Sequence, residues 1–231
     1  MKKFKLSGET KTVPWVETVL HRIVATTTFT LSCGLTINEG DIGGWIEKES
    51  NLSDNAWVSD NAQVFDNAKV SGNSHVFDNA QVFGNSHVSD NSRVYGNSRV
   101  YGNSRVYNNA WVFGDTQVFG NSQVYGDACL SGNSLVLGNS HIFGNARVSE
   151  NVWLSGNARI EDVNDYIVFK NNWSSVQYLT WTKSNDKWVA GSFYGTGDEL
   201  IKKAYADSED SGKHYEAYVK LVETLKDIHI T

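Results

Sequence analysis

One stretch of the sequence, SRVYGNSRVYGNSRVYNN at residues 92–109, carries the same arginine-tyrosine unit three times. Arginine can hold a phosphate or a carboxylate through a forked pair of hydrogen bonds, and an aromatic ring can stack on a nucleobase. No acidic residue lies between Asp90 and Asp115, so the stretch is locally positive in a chain of formal net charge −6. The stretch therefore predicts a binding site for a small anion. Its residues are Arg93, Tyr95, Arg99, Tyr101, Arg105 and Tyr107.

The arginine-tyrosine units belong to a longer repeat. From Leu52 to Arg159 the chain divides into 18 consecutive hexapeptides without an insertion. Their order is aliphatic, variable, Gly or Asp, Asn or Asp, Ala or Ser, variable, as in VYGNSR at residues 94–99. Strand alternation places the small and the aliphatic residue on the same inner side, two positions apart. Gly and Asn tolerate positive φ, so the Gly/Asp and Asn/Asp pair at the third and fourth positions predicts a sharp turn.

Three such units can close a triangular coil of 18 residues. Six coils stacked at about 4.8 Å make a prism about 29 Å long, with valines stacked inside. The repeat therefore predicts a mainly β protein, a left-handed parallel β-helix of six triangular coils over residues 52–160.

The flanking segments differ in composition from the repeat. Residues 1–51 include a predicted strand at 21–29, and they are expected to cap the open edge of the first coil. Residues 161–231 predict a small α+β module with strands at 165–171, 176–183 and 187–195. Thr196 and Glu199 form a predicted capping box that opens the first of two helices.

The repeat resembles that of the hexapeptide-repeat superfamily, whose pattern is an aliphatic residue with a small residue two positions before it. The N-terminal segment is similar to that of uncharacterised hexapeptide-repeat proteins common in enterobacteria, phages and prophages. The residues that carry this second resemblance are Arg22, Ile23, Ala25, Gly40, Asp41, Gly43, Gly44, Trp45, Ile46 and Glu47.

The resemblance implies a homotrimer of prisms packed side by side. An apolar strip along one face fits this arrangement, because such a strip is expected to be covered by a symmetry mate or by the C-terminal module. The three arginine-tyrosine units lie on three faces of one coil, and we call them the Arg-Tyr belt. In a trimer the belts of two copies would meet in one groove; the alternative is that Arg stacks over Tyr only to hold subunits together. The strip consists of Phe65, Phe83, Tyr101, Phe119 and Leu137.

The superfamily also implies acyl transfer from acetyl-CoA or another acyl-CoA, with a histidine as general base. Under that hypothesis the candidates are His87 and His141. All coils are intact, however, and no loop is extruded to shape a substrate cleft. These histidines and His75 occupy the ordinary variable position of the hexapeptide, which favours surface residues over catalytic ones.

Composition limits the remaining function classes. The acidic net charge makes nucleic acid an unexpected partner, and no apolar run predicts a signal peptide or a membrane span. Cys33 and Cys129 are too few for a disulfide framework. The sequence shows no Cys/His cluster for zinc and no phosphate-binding glycine loop, so we expect no metal and no cofactor. The expected location is the cytoplasm, or the host cytoplasm if a phage encodes the protein.

Three functions are compatible with these patterns. The first is a non-catalytic homotrimeric binding protein, encoded by a phage or prophage. It would capture a small phosphate-bearing anion or a host protein, for example to blunt a host defence. The second is an acyl-CoA-dependent O- or N-acyltransferase, and the third is a structural or assembly scaffold.

Overall fold

A computed structural model describes residues 2–174 and 177–229 of the chain. The N-terminal segment contains five strands, and three of them pair antiparallel in the order β1-β2-β5. A β-turn at residues 14–17 joins the first two, and the predicted strand at 21–29 is split between β2 and β3. The strands are β1 Phe4–Val13, β2 Thr18–Ala25, β3 Phe29–Thr30, β4 Thr36–Ile37 and β5 Ile42–Ile46, followed by a 3₁₀ helix at Glu49–Asn51.

Each hexapeptide contributes one two-residue strand. Each strand joins the last, variable residue of one hexapeptide to the aliphatic first residue of the next, as Arg99–Val100 does. These strands are β6 Trp57–Val58, β7 Gln63–Val64, β8 Lys69–Val70, β9 His75–Val76, β10 Gln81–Val82, β11 His87–Val88, β12 Arg93–Val94, β13 Arg99–Val100, β14 Arg105–Val106, β15 Trp111–Val112, β16 Gln117–Val118, β17 Gln123–Val124, β18 Cys129–Leu130, β19 Leu135–Val136, β20 His141–Ile142, β21 Arg147–Val148, β22 Trp153–Leu154 and β23 Arg159–Ile160.

The strands form three parallel sheets, the faces of a prism. The first face runs from β6 to β21, the second from β7 to β22 and the third from β8 to β23, with every third strand in each. Residues pair in parallel with those 18 positions later, as Arg99 does with Gln117. The aliphatic and small positions are buried along the whole stack. The predicted parallel β-helix of six turns is therefore confirmed, while its left hand stays a prediction.

The corners of the prism explain the third and fourth positions of the hexapeptide. All 18 third-position residues have φ between +55° and +74°, a region that Gly, Asn and Asp enter most easily. The asparagines that follow them form side-chain ladders along the corners. In one ladder Asn85 Nδ2 donates to Asn103 Oδ1 at 3.2 Å, and Asn103 Nδ2 donates to Asn121 Oδ1 at 3.1 Å.

The N-terminal segment continues the second face. Strand β5 pairs in parallel with β7, so this face becomes a nine-stranded sheet that begins with β1. Gly44 allows the close approach, since a Cβ there would lie 2.7 Å from Val58 Cγ1 and 2.8 Å from the Ala62 carbonyl oxygen. Phe4 and Ile23 belong to the same hydrophobic core as the solenoid valines. The N-terminal segment and the coils therefore share one core.

The C-terminal module is a four-stranded antiparallel sheet covered by two helices. The predicted strand at 187–195 is two strands separated by a turn at Gly191, and residues 175 and 176, part of the strand predicted at 176–183, lie outside the described residues. The Thr196–Glu199 capping box is confirmed. The elements are a 3₁₀ helix at Val163–Asp165, β24 Tyr166–Asn171, β25 Gln177–Thr182, β26 Lys187–Ala190, β27 Phe193–Gly195, α1 Gly197–Asp207 and α2 Glu209–His229.

The C-terminal module covers the last coil. The Thr180 hydroxyl accepts a hydrogen bond from the Trp153 backbone N–H at 3.1 Å, and the Ser184 hydroxyl accepts one from the Arg159 N–H at 2.8 Å. These N–H groups have no seventh coil to pair with, so side chains replace the missing carbonyl oxygens. Neither described helix is long and apolar enough to cross a membrane.

Candidate functional site

The tyrosines of the Arg-Tyr belt stack on aromatic rings of neighbouring coils. Tyr95 lies between Phe77 and Phe113, with ring centroids 4.6 and 4.8 Å away. Tyr101 lies in the same way between Phe83 and Phe119, at 4.9 and 4.8 Å. Both ring faces of these two tyrosines are therefore occupied by the protein itself.

Tyr107 stacks on Tyr125 at 4.9 Å, which starts a third aromatic ladder on the third face. The hydroxyl of Tyr107 donates to Gln123 Oε1 at 3.1 Å, and that of Tyr101 approaches Gln117 Oε1 at 3.4 Å. Burial raises the pKa of both tyrosines. The main contacts of the three tyrosines are therefore the stacked aromatic rings of the neighbouring coils.

The arginines of the belt do not stack over these tyrosines. Arg93 lies over the Trp111 ring of the next coil, with its Cζ 4.7 Å from the ring centroid. Among the residues that the structure describes, no carboxylate pairs with Arg93, Arg99 or Arg105. Arg99 and Arg105 are exposed. The Arg-over-Tyr contact between subunits stays a prediction, and within the described chain the guanidinium groups of Arg99 and Arg105 have no carboxylate partner.

Arg99 lies between two adjoining concavities on the second face, which together we call the Arg99 groove. Gln81 and Arg99 line both of them. The polar concavity has a volume of about 430 Å³, and its other lining residues are Asn79, Asn97, Asp115 and Gln117. The aromatic concavity has a volume of about 380 Å³, and its other lining residues are Trp15, Phe83 and Tyr101.

Trp15 forms the aromatic wall of the Arg99 groove and was not anticipated from the sequence. It lies in the turn between β1 and β2, and its ring meets Phe65 and Phe83 edge-on at 5.7 and 5.4 Å. It nevertheless stays 58% exposed, so one part of the ring is free to contact a ligand. Its only sequence signal was a tryptophan beside the single proline, Pro14, in a turn-like segment.

The apolar strip on the second face is covered in its first part by the N-terminal segment. Phe65 is fully buried and packs with Val13, Leu20 and Trp45, while Phe83 packs against the edge of this cluster. The expected cover, a symmetry mate or the C-terminal module, is replaced here by the β1–β2 hairpin. Phe65 was predicted to lie in the subunit contact, but it cannot contribute to one here, because none of its surface is exposed.

The remaining strip residues, Tyr101, Phe119 and Leu137, are only half-buried. They follow one another on consecutive coils of the second face, beside the column that carries Arg99. The exposed part of the strip therefore lies next to the Arg99 groove.

Burial lowers the pKa of all three solenoid histidines. His75 is 8% exposed, lies 2.9 Å from Ser59 Oγ through its Nε2, and stacks on Phe77. Burial lowers its pKa to about 4. Burial and the neighbouring Lys69 and Arg105 also lower the pKa of His87.

The two histidines of the acyltransferase hypothesis have similar surroundings. His141 has a pKa below its usual value because of burial and Arg159, and its buried Nδ1 meets no hydrogen-bond partner in the described chain. Among the described residues, neither His87 nor His141 forms an ion pair with a carboxylate that would orient its ring, as a general base usually does. Burial and cationic neighbours lower the pKa of both rings, which makes each a weaker base.

Within the described ranges, no three His, Cys, Asp or Glu side chains converge as metal ligands would. Cys33 and Cys129 are free thiols, one exposed and one half-buried. Comparison with protein-family models finds no matching family, and a search of curated proteins finds no match. The resemblance to phage-borne hexapeptide-repeat proteins therefore remains a prediction from the repeat and the N-terminal segment.

Proposed function

We propose that this protein is a non-catalytic binding protein that captures a small, phosphate-bearing anion in the Arg99 groove. The observation that carries the proposal is the Arg99 guanidinium group, which is exposed and has no carboxylate partner in the described chain. It lies in register between the amides of Gln81 and Gln117. A guanidinium group between neutral amides suits a phosphate group, because forked N–H donors match its oxygens. The carboxylate in the lining, Asp115, accepts a hydrogen bond from Asn97 Nδ2 at 3.0 Å.

The two concavities favour an anion that is more than an inorganic ion. The aromatic one, with the exposed part of Trp15, can hold an apolar or ring portion of a ligand. The amide-rich one can hold hydroxyl groups through Asn79, Asn97 and Gln117. Because the rings of Tyr95 and Tyr101 already stack on protein rings, a ligand ring would rest on Trp15 instead.

The test is calorimetric titration of the purified protein with inorganic pyrophosphate and with AMP. We expect Arg99→Gln to weaken binding at least tenfold, since a charge-assisted hydrogen bond contributes about 1.5–3 kcal/mol. Arg147→Gln is the matched control. Its guanidinium lies on the first face of the same prism and already donates to the Asp127 carbonyl oxygen at 2.7 Å.

Native mass spectrometry of the protein as purified from cells adds an independent readout. A bound small molecule that leaves on denaturation, and that Arg99→Gln no longer retains, would support the proposal and give the ligand mass. Equal affinities for wild type and Arg99→Gln, or no binding of either phosphate compound together with no retained mass, would contradict it.

We also propose a homotrimer whose subunits meet along Tyr101, Phe119 and Leu137. These half-buried side chains form a row that the β1–β2 hairpin does not cover. We expect Phe119→Glu to shift the mass in solution from trimer to monomer, because three charges would be brought together at the contact. Arg147→Gln should leave the mass unchanged, and a wild-type protein that is already monomeric would refute the trimer.

A phage origin, action in the host cytoplasm and a role against host defence belong to the same proposal and rest on the sequence resemblance.

A further inference from the structure

A second cavity lies in the C-terminal module, far along the chain from the Arg99 groove. Its volume is about 700 Å³, within the range of cavities that hold small organic ligands. It opens between the 3₁₀ helix at Val163–Asp165, strands β24 and β25, and the last turns of α2. The lining includes Val163, Ile167, Trp181, Lys183, Leu225 and Lys226.

The walls of the cavity are mainly apolar and are held in place. Val222 and Trp181 are buried, and the Trp181 indole Nε1 donates to Asp186 Oδ1 at 2.8 Å. The Tyr166 hydroxyl donates to the Arg147 carbonyl oxygen at 2.8 Å, which ties this wall to the last coil. Rigid apolar walls favour a ligand with a hydrocarbon or ring body, because such a body loses contact with water without disturbing the protein.

One of the two cavity lysines is neutralised by the protein. Lys226 Nζ lies 3.1 Å from Asp186 Oδ1 and 3.1 Å from Glu223 Oε2. Although burial alone would raise the pKa of Asp186, the hydrogen bonds from Trp181 and Lys226 lower it, so the carboxylate remains charged. Lys226 therefore has two anionic partners and is not available to a ligand.

Lys183 is the other cavity lysine, and it is exposed to solvent. In the part of the chain that the structure describes, its ammonium group makes no ion pair and no side-chain hydrogen bond. Its backbone is fixed, since the Lys183 N–H donates to the Asp165 carbonyl oxygen at 2.8 Å. The cavity thus combines apolar walls with one free cation at an anchored position.

We propose that this cavity binds a single-chain amphipathic anion. Its anionic head would contact Lys183, and its hydrocarbon body would lie among Val163, Ile167 and Leu225. The charge of Lys183 selects an anion, and the apolar walls select a ligand larger than a free carboxylate ion. This site is independent of the Arg99 groove and does not rest on the function proposed for it.

The experiment is a titration of the full chain with decanoate below its critical micelle concentration, followed by calorimetry and by NMR of the tryptophan indole signals. We expect saturable binding that shifts the Trp181 indole resonance, assigned with Trp181→Phe. Lys183→Gln should weaken binding about tenfold, because the head loses its charged partner. Decanol, which has the same chain without the charge, should bind wild type about as weakly as decanoate binds Lys183→Gln.

Three variants complete the test. Lys187→Gln changes a neighbouring lysine that does not line the cavity and should leave the affinity unchanged, as should Arg99→Gln. Leu225→Trp should abolish binding by filling the cavity; if it fails to fold, Val163→Trp at the exposed rim takes its place. The proposal is overturned if decanoate does not saturate wild type, if Lys183→Gln binds as tightly as wild type, or if neither tryptophan variant reduces binding.

Discussion

At the scale of single residues, His75 on the first face makes the stability of the prism depend on pH. Its folded pKa of about 4 lies below the ordinary value of 6.5, so the folded state binds its proton less readily than the unfolded state. The contribution of neutral His75 to the free energy of unfolding is fully present above pH 6.5 and is lost as the pH falls towards 4. It amounts to about 3 kcal/mol. We expect His75→Phe, which keeps the stack on Phe77, to lose less stability than wild type between pH 7 and 4.5. Urea unfolding at the two pH values measures this, and an equal loss in both proteins would contradict it.

A second residue-scale prediction concerns the corners. Gly102 has φ +72°, and the equivalent corner residue Asp66 adopts φ +57° while its Oδ2 accepts the Gly84 N–H at 3.0 Å. Gly102→Ala should cost about 1–2 kcal/mol, because alanine enters the left-handed region with strain. Gly102→Asp should cost about 1 kcal/mol less than alanine, because its carboxylate can accept the Gly120 N–H. Denaturant unfolding compares the two variants, and the argument fails if alanine is the more stable.

At the scale of elements, the asparagine ladders hold successive coils together at the corners. Asn103 makes two ladder hydrogen bonds, whereas Asn157 at the end of the same ladder makes one, with Asn139 at 3.2 Å. Asn103→Ala should therefore cost about 1–2 kcal/mol, and Asn157→Ala about half of that. Thermal and urea unfolding of both variants provide the comparison. Equal losses would show that the ladder bonds contribute nothing beyond the intrinsic turn preference of asparagine.

The elements also differ in how well the sequence predicts them. The hexapeptide strands follow from a local period, because the aliphatic and small positions recur every six residues and are all buried. Strand β1 was missed, since only its two ends, Phe4 and Val13, are buried and the residues between them show no alternation. It forms by pairing with β2, which is a contact between segments and not a pattern within one.

The same distinction applies to the candidate site. The column that contains Arg99 could be listed from the period alone, and so could the aromatic strip beside it. Trp15 could not, because it reaches Phe65 and Phe83 from a turn about fifty to seventy residues earlier in the chain, outside the repeat. Period-based reasoning places residues that the coil repeats. It does not place those that the N-terminal hairpin brings over the coil.

At the scale of the whole molecule, the C-terminal module protects the last coil from pairing with another chain. A chain that ends after Asp162 lacks the Thr180 and Ser184 hydroxyls, so the Trp153 and Arg159 N–H groups lose their acceptors. An open sheet edge of this kind pairs readily with a second edge. We expect the shortened chain to keep its β circular-dichroism signal but to form assemblies larger than those of the full chain, growing with concentration in light scattering.

The control for this prediction removes the donor instead of the cover. Trp153→Pro in the shortened chain deletes one edge N–H and places a ring where a partner strand would approach, so it should reduce the assemblies. Thr180→Val in the full chain removes one cap while leaving the module in place, and it should cost about 1–2 kcal/mol without assembly. If the shortened chain is folded and no larger than the full chain, the module has another purpose. The cavity beside Lys183, between its strands and α2, would then be the first place to look for it.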